Sequence, residues 1–335
     1  MAMPRSPQTL SLTAPAKINL VLRVGPVDPR TGYHPLGTWM CTVGLCDRLR
    51  FEWTPERSAQ RLPALMCDDP SLPRDAGNLV VRAASAICEA AGVDPAPLRI
   101  ELRKRIPAAA GLGGGSSDAA ATLLGLNKML SLDRSRDELC AIAARLGADV
   151  PFFVAGSGGS AWCTGRGENV APTPAPTRAR RALLILPRRV AMPTAAVYRR
   201  FDELAPGGAD NLGSGPDPAT LAGLGARELL PLLRNDLEAA AFSLSDELSG
   251  MREAVERALR RPVRMSGSGS ALYTLYDAVD DTPIRVDARG DRGEGMEGDE
   301  ANPELAEAVA TAGKAVAPSA ARIVVVPVCP DVRTE

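Results

Sequence analysis

The chain has 335 residues, 45% of them hydrophobic and 24% charged, which is material for two domains with a substantial core. A formal net charge of -1 excludes the basic excess expected of a nucleic-acid-binding protein, and apolar runs such as 182–186 and 323–326 are too short to cross a bilayer. Seven cysteines scattered without a C-x-x-C pair, a single histidine and no apolar stretch before Lys17 predict a cytoplasmic protein with reduced thiols, and they exclude a zinc site of the usual Cys/His spacing.

In chain order, residues 10–24 alternate with the period of a half-buried strand: Leu12, Ala14, Ala16, Ile18, Leu20, Leu22 and Val24 share one face, and Thr13, Lys17, Asn19 and Arg23 the other. Pro15 predicts an edge or a bulge in its first part. Lys17 and Asn19 then project side by side, roughly 7 Å apart at the strand rise. A turn-rich stretch, 25–32, leads to Tyr33 and His34, and strand-like sequence follows over 39–53. Residues 98–103 alternate again, and an alanine- and leucine-rich helix is predicted over 116–130. Ser135 and Glu138 form a capping box ahead of Leu139, Ile142, Ala143 and Leu146 at helical spacing, with Gly147 as the stop.

The proline-rich, aperiodic stretch 172–181 predicts a boundary between a domain at 1–177 and another at 178–335. Beyond it come a buried strand at 182–186, helices at about 194–204, 229–243, 246–260 and 303–316, and strands at 271–276 and 322–328. The segment 280–302 is dense in Asp, Glu, Arg and Gly and reads as a solvated loop without a catalytic role. The expected class is a mixed α+β chain in two halves.

The strongest chemical signal is Pro107-Ala108-Ala109-Ala110-Gly111-Leu112-Gly113-Gly114-Gly115-Ser116-Ser117, placed between a strand and a helix. Its glycines let the backbone approach an anion, and the helix that follows offers unpaired N–H groups and a positive dipole end. Ser116 and Ser117 add hydroxyls that can cap the helix, bind phosphate oxygen or reach a magnesium ion. A flexible strand-to-helix loop with a serine cap is the plainer reading. No Gly-Lys-Ser/Thr follows, so this is not a Walker A loop, and the G-x-G-x-x-G match at 156–161 lacks a following helix. Near a phosphate site Lys17 can stabilise transferring charge and Asn19 can orient a hydroxyl, although a lysine on a strand's polar face is ordinarily only solvated. Asp149 sits in apolar sequence past the Gly147 stop, which predicts a partly buried acid suited to take a hydroxyl proton, or else a loop cap. A second glycine–serine turn, with Gly267, Ser268 and Gly269, lies between a helix and a strand, and it is small enough to pack closely on the first or to serve only as a connection.

Together these motifs resemble the GHMP small-molecule kinases: residues 107–117 with Asp118-Ala-Ala resemble their ATP loop, and 265–270 their C-terminal glycine motif. Residues 14–20 around Lys17 and Asn19, Gly32-Tyr33-His34, and 146–153 around Asp149 are similar to the branch that phosphorylates the 2-hydroxyl of a cytidine diphosphate conjugate of methylerythritol, on the non-mevalonate route to isoprenoid precursors. The resemblance implies a two-domain fold with an N-terminal half like ribosomal protein S5 domain 2 and a ferredoxin-like C-terminal half, with ATP and a small-molecule substrate in the cleft. It implies ATP and Mg2+ as cofactors, Lys17 and Asp149 as the catalytic pair, and Asn19 holding substrate; Ser117 is the candidate magnesium ligand, with Ser116 or another group as the alternative. It also implies that Tyr33 and His34 recognise cytosine and that Tyr198 is a second aromatic across the base. Thr31 departs from the acid such kinases commonly carry there. The alternatives are another kinase of the superfamily, acting on mevalonate, homoserine or a sugar, and a nucleotide-binding protein without catalysis.

Overall fold

The computed structural model describes residues 6–55, 62–156, 159–204, 212, 217–278, 303–319 and 321–330; the expected charged loop at 280–302 lies outside them. The first half is built on two long antiparallel strands, β1 (Gln8–Val24) and β2 (Leu36–Trp53). Burial alternates along the first residues of β1 and becomes continuous from Ala16 onward, so the polar face predicted for Lys17, Asn19 and Arg23 is buried rather than solvated. The register shifts between Pro15 and Ala16, the place where proline removes a ladder donor, and again between Asn19 and Val21.

One end of β2 pairs with β4 (Leu98–Arg103), which in turn pairs in parallel with β3 (Ala64–Cys67). The other end pairs with β5 (Ser160–Gly165), which carries β6 (Asn169–Pro172). Four helices follow the same half of the chain: α1 (Leu79–Ala91), α2 (Gly114–Met129), α3 (Arg136–Leu146) and α4 (Val150–Ala155). Val80, Ile87, Leu123, Leu126 and Ile142 from these helices and Phe51, Leu98 and Ile100 from the strands form one apolar cluster. Each fully buried aliphatic or aromatic side chain there contributes roughly 1.5–3 kcal/mol. The capping box at Ser135 and Glu138 is present, and Gly147 ends α3 in an extended conformation.

The second sheet runs β11 (Arg322–Pro327), β7 (Arg181–Leu186), β10 (Leu272–Tyr276), β9 (Arg264–Met265), all antiparallel. Its helices are α5 (Thr194–Leu204), α6 (Pro218–Leu221), α7 (Ala226–Leu229), α8 (Glu238–Leu244), α9 (Asp246–Leu259) and α10 (Pro303–Val316). The single helix expected at 229–243 is broken. Between α7 and α8 lie a short 3-10 turn, Leu230–Leu232, and a two-residue strand, β8 (Arg234–Asn235), that joins β1 in parallel. Pro231 removes a helical N–H at the break, and Asn235 spends its side chain on tertiary hydrogen bonds described below. β8, a bridge between Val43 and Val328, and an apolar cluster shared by Ile18, Trp39, Leu184 and Tyr273 tie the two sheets together. Among the described residues no helix is long and apolar enough to cross a membrane.

Candidate active site

The glycine segment leaves β4 and enters α2, which begins two residues earlier than its sequence predicts, inside the glycines. Gly111 and Gly113 have φ of +75° and +70°, a region closed to most side chains. A Cβ at Gly111 would stand 2.1 Å from the carbonyl oxygen of Ser266, and one at Gly113 would stand 3.1 Å from Cγ of Lys17. Both positions therefore need glycine for approach as well as for conformation. The first contact is with the second glycine–serine turn, which does pack on the loop: Ser266 Oγ donates to Gly111 O at 2.9 Å, and the Ala271 N–H donates to Ala110 O at 3.0 Å. Asn235 holds that turn from the far side, its Nδ2 donating to the carbonyls of Met265 and Gly267 at 2.8 Å each. Ser268 Oγ lies 3.0 Å from Thr194 Oγ1 and links the turn, with Gly267 and Gly269, to α5.

Gly113 caps α2 without a side-chain hydrogen bond, and the first turn of the helix holds no acid. No capping side chain therefore occupies its leading N–H groups, an arrangement able to receive phosphate. Pro107, Ala108, Ala109 and Ala110 form the entering arm of this loop, and Gly114, Gly115 and Ser116 the turn into the helix. Ser117 is buried, and its Oγ has no hydrogen-bond partner among the described residues.

Lys17 comes to the loop from below. Its N–H donates to Leu112 O at 2.9 Å, and its Nζ donates to Asn19 Oδ1 at 2.6 Å. The two side chains are in direct contact rather than 7 Å apart, because the long lysine bends back along the strand toward its neighbour. Both residues are only 4% exposed. Asn19 Nδ2 donates to Thr38 Oγ1 at 2.8 Å, which turns Oδ1 toward the lysine. Asp149 stands between α3 and α4 with helical backbone angles and makes no capping hydrogen bond. Its Oδ2 lies 3.5 Å from Lys17 Nζ, and its side chain keeps 34% of its surface exposed against 5% for the lysine. A buried cation is therefore paired with an acid that also reaches the open side.

His34 is partly buried, with its ring nearly enclosed, at the edge of this region. Its Nδ1 lies 2.8 Å from Gly25 O and its Nε2 3.3 Å from Asp202 Oδ1. The ring packs on Tyr198, centroids 5.2 Å apart with planes at 36°, and against the edge of Phe201 at 5.9 Å. Burial, with Asp149 adding its charge, pushes the Tyr198 phenol above its ordinary value. Tyr33 is 56% exposed, with the guanidinium of Arg166 4.9 Å from its ring centroid.

A second cluster, of charged side chains, lies under the loop. Lys104, at the exit of β4, donates through Nζ to Asp118 Oδ2 at 2.7 Å and to Asp47 Oδ2. Asp47 is fully buried on β2, and its Oδ1 accepts the N–H groups of Arg105 and Ile106. Burial and the neighbouring Asp47 raise the Asp118 carboxyl to about 7 against the pull of Lys104. Burial lowers the lysine, but the two carboxylates outweigh it and hold Lys104 above its ordinary value. The only signals in the sequence were an acid, Asp47, within an apolar strand and a lysine three residues before Pro107.

A glycine loop on the N-terminus of a helix, packed on a second glycine turn and flanked by a buried lysine with an acid one-third exposed, defines a small-molecule kinase of the GHMP type. The family model for the GHMP kinases N terminal domain matches residues 78–157. A 4-diphosphocytidyl-2-C-methyl-D-erythritol kinase of a Nocardioides species is 40% identical over 276 residues, 80% of this chain and 89% of the relative. Its counterpart in Salinispora arenicola is 41% identical over 273 residues, 79% of this chain and 83% of the relative. A solved structure of 4-(cytidine 5'-diphospho)-2C-methyl-D-erythritol kinase superposes with a TM-score of 0.67 at 34% identity, covering 95% of this chain and 99% of that one. The chain belongs to the 4-diphosphocytidyl-2-C-methyl-D-erythritol kinase family, and its two-domain α+β fold is that of the GHMP kinases.

Proposed function

We propose that the protein transfers the γ-phosphoryl group of ATP to the 2-hydroxyl of 4-diphosphocytidyl-2-C-methyl-D-erythritol, a step on the non-mevalonate route to isoprenoid precursors. The observation that carries the reading is the Lys17–Asp149 pair, 3.5 Å apart, beside the loop at Leu112–Gly113. Phosphoryl transfer needs alignment and charge stabilisation more than covalent chemistry. The amides of residues 111–117 would hold the triphosphate, Lys17 would neutralise charge near the attacking oxygen, and Asp149, open to one side, would accept the hydroxyl proton. Asn19 keeps the lysine head in line and would bind the substrate at its edge.

Family membership supports ATP as the donor. Magnesium supplies charge neutralisation on the phosphates when bound, and a buried hydroxyl with no protein partner fits a hard cation that takes most of its ligands from water and phosphate. Ser117 would hold it. No cluster of three or more His, Cys, Asp or Glu side chains suited to a metal occurs among the described residues, so the ion would arrive with the nucleotide.

For the acceptor, Tyr33 would stack on cytosine, and the contact of His34 with Tyr198 supports a base site closed on its other side by Tyr198. We place the division of the chain at 177/178, just before the first strand of the second sheet. An ADP-release assay offering the cytidylyl substrate, mevalonate and homoserine side by side tests the assignment. Turnover of the cytidylyl substrate alone is expected; turnover of mevalonate or homoserine in preference would overturn it.

A further inference from the structure

We infer that the Asp47–Lys104–Asp118 cluster is a positioning device for the anion loop, one that sets the first turn of α2 against the exit of β4 before the nucleotide arrives. The inference rests on the reading of that loop as a nucleotide site. Three elements meet in the cluster. Asp47 on β2 grips the backbone of Arg105 and Ile106 through Oδ1 and Lys104 through Oδ2, while Lys104 reaches across to Asp118 on α2. The two arms of the glycine loop, residues 105–106 and residue 118, are thereby fixed relative to each other through one ammonium group. A Cβ at Gly114 would stand 2.9 Å from Ile106 Cγ2 and 3.4 Å from Lys104 Nζ, so the lysine head lies directly beneath the turn whose amides face the anion.

A cluster serving stability alone would not be built this way. Two carboxylates share one ammonium, and Asp118 Oδ1 is buried without a partner among the described residues. Buried ion pairs are weak contributors to stability, and a partly satisfied buried network costs more than an apolar core. Any carboxylate charge beyond that of the one ammonium is also adverse to a phosphate ligand, unless the geometry that the cluster fixes outweighs it. That geometry is convergence of the loop amides, which act at full strength only when they do not have to be ordered on binding.

Asp118→Asn removes the carboxylate charge while keeping a side-chain oxygen for the lysine, and it separates the possibilities by sign. The experiment titrates ADP by calorimetry into the full-length protein in EDTA, so that no metal enters, and records thermal melts of both forms. Positioning predicts a Kd for ADP weaker by about tenfold or more, the order of one charged-group hydrogen bond held out of line, with the folded state retained. Tighter binding in the variant would mean that only the charge matters, and unchanged binding with a lowered Tm would mean that the cluster is only structural; either result overturns the inference. Lys104→Arg keeps the charge and can still bridge the two acids. It should hold affinity within about threefold, whereas Lys104→Gln should lose it by about tenfold or more. A wild-type protein that fails to bind ADP at all would instead sink the nucleotide reading of the loop.

Discussion

Lys17 Nζ donates to Asn19 at 2.6 Å and stands 3.5 Å from Asp149 Oδ2, so one buried ammonium on the first strand joins its strand neighbour to an acid far along the chain. The lysine is nearly enclosed while the acid is a third exposed, the asymmetry that the proposed mechanism needs if one group holds charge and the other exchanges a proton. Asp149→Asn is expected to keep the fold and ADP affinity and to lower kcat by about 10² to 10⁴, the ordinary contribution of a general base. Steady-state kinetics beside calorimetry checks this. Turnover within a few-fold of wild type would remove Asp149 from the chemistry.

The glycines of the loop should not be equivalent. Gly111→Ala sets a methyl 2.1 Å from the Ser266 carbonyl oxygen at φ +75°, and it should lose roughly 2–5 kcal/mol from left-handed strain and overpacking together. A methyl at Gly115 meets nothing closer than Leu79 Cδ1 at 3.5 Å, so Gly115→Ala should leave stability within about 1 kcal/mol of wild type or above it. Its effect should fall instead on the nucleotide, with KM for ATP raised about tenfold as the methyl holds phosphate off the amides. Denaturant melts and ATP titrations of the two variants are sufficient to see the contrast.

Tyr33 is exposed, and among the described residues its ring is met by the Arg166 guanidinium, so Tyr33→Ala should not change Tm. Loss of a base-stacking ring is worth about 1–3 kcal/mol, which predicts a KM for the cytidylyl substrate raised roughly 10- to 100-fold with kcat for bound substrate retained. An unchanged KM would place the base elsewhere.

Glu238 accepts the Met265 N–H at 2.8 Å and so supports the strand that leads into the Ser266–Gly269 turn. Burial raises its carboxyl above the ordinary 4.5, against the pull of that hydrogen bond and of Arg264 and Arg252. A folded-state value above the unfolded one gives stability that is complete below 4.5 and is lost as pH rises through the folded value. Glu238→Gln retains an acceptor for Met265 and removes the titration. The Tm of wild type relative to this variant should therefore fall as pH is taken from about 4 to about 8, across and above the carboxylate range. A flat or rising difference would contradict the assignment.

Local order was legible along the chain wherever one residue type forces one geometry. The alternation of 98–103, the capping box at Ser135 and Glu138 and the crowded glycines at 111–115 each produce the element their chemistry demands. Of the break at 230–235 only Pro231 was legible; that Asn235 leaves helical geometry to serve carbonyls at 265 and 267 is information that no helical pattern contains. The Asp47–Lys104–Asp118 cluster was not legible: its members lie on three elements and look like ordinary charges until folding buries them together.

For the site, the sequence by itself determined a glycine-dense strand-to-helix loop at 107–117, a backbone able to approach an anion, because such glycine density ahead of a helix removes side chains from the loop and leaves the helix amides open. That Lys17 and Asp149 form a pair, that the second glycine turn supports the first through Ser266 and Gly111, and that Tyr33 faces outward while His34 packs inward were decided only by tertiary structure. The reason is separation. Each relation joins residues whose distance in space is set by sheet register and loop packing, and those are properties of the folded chain as a whole.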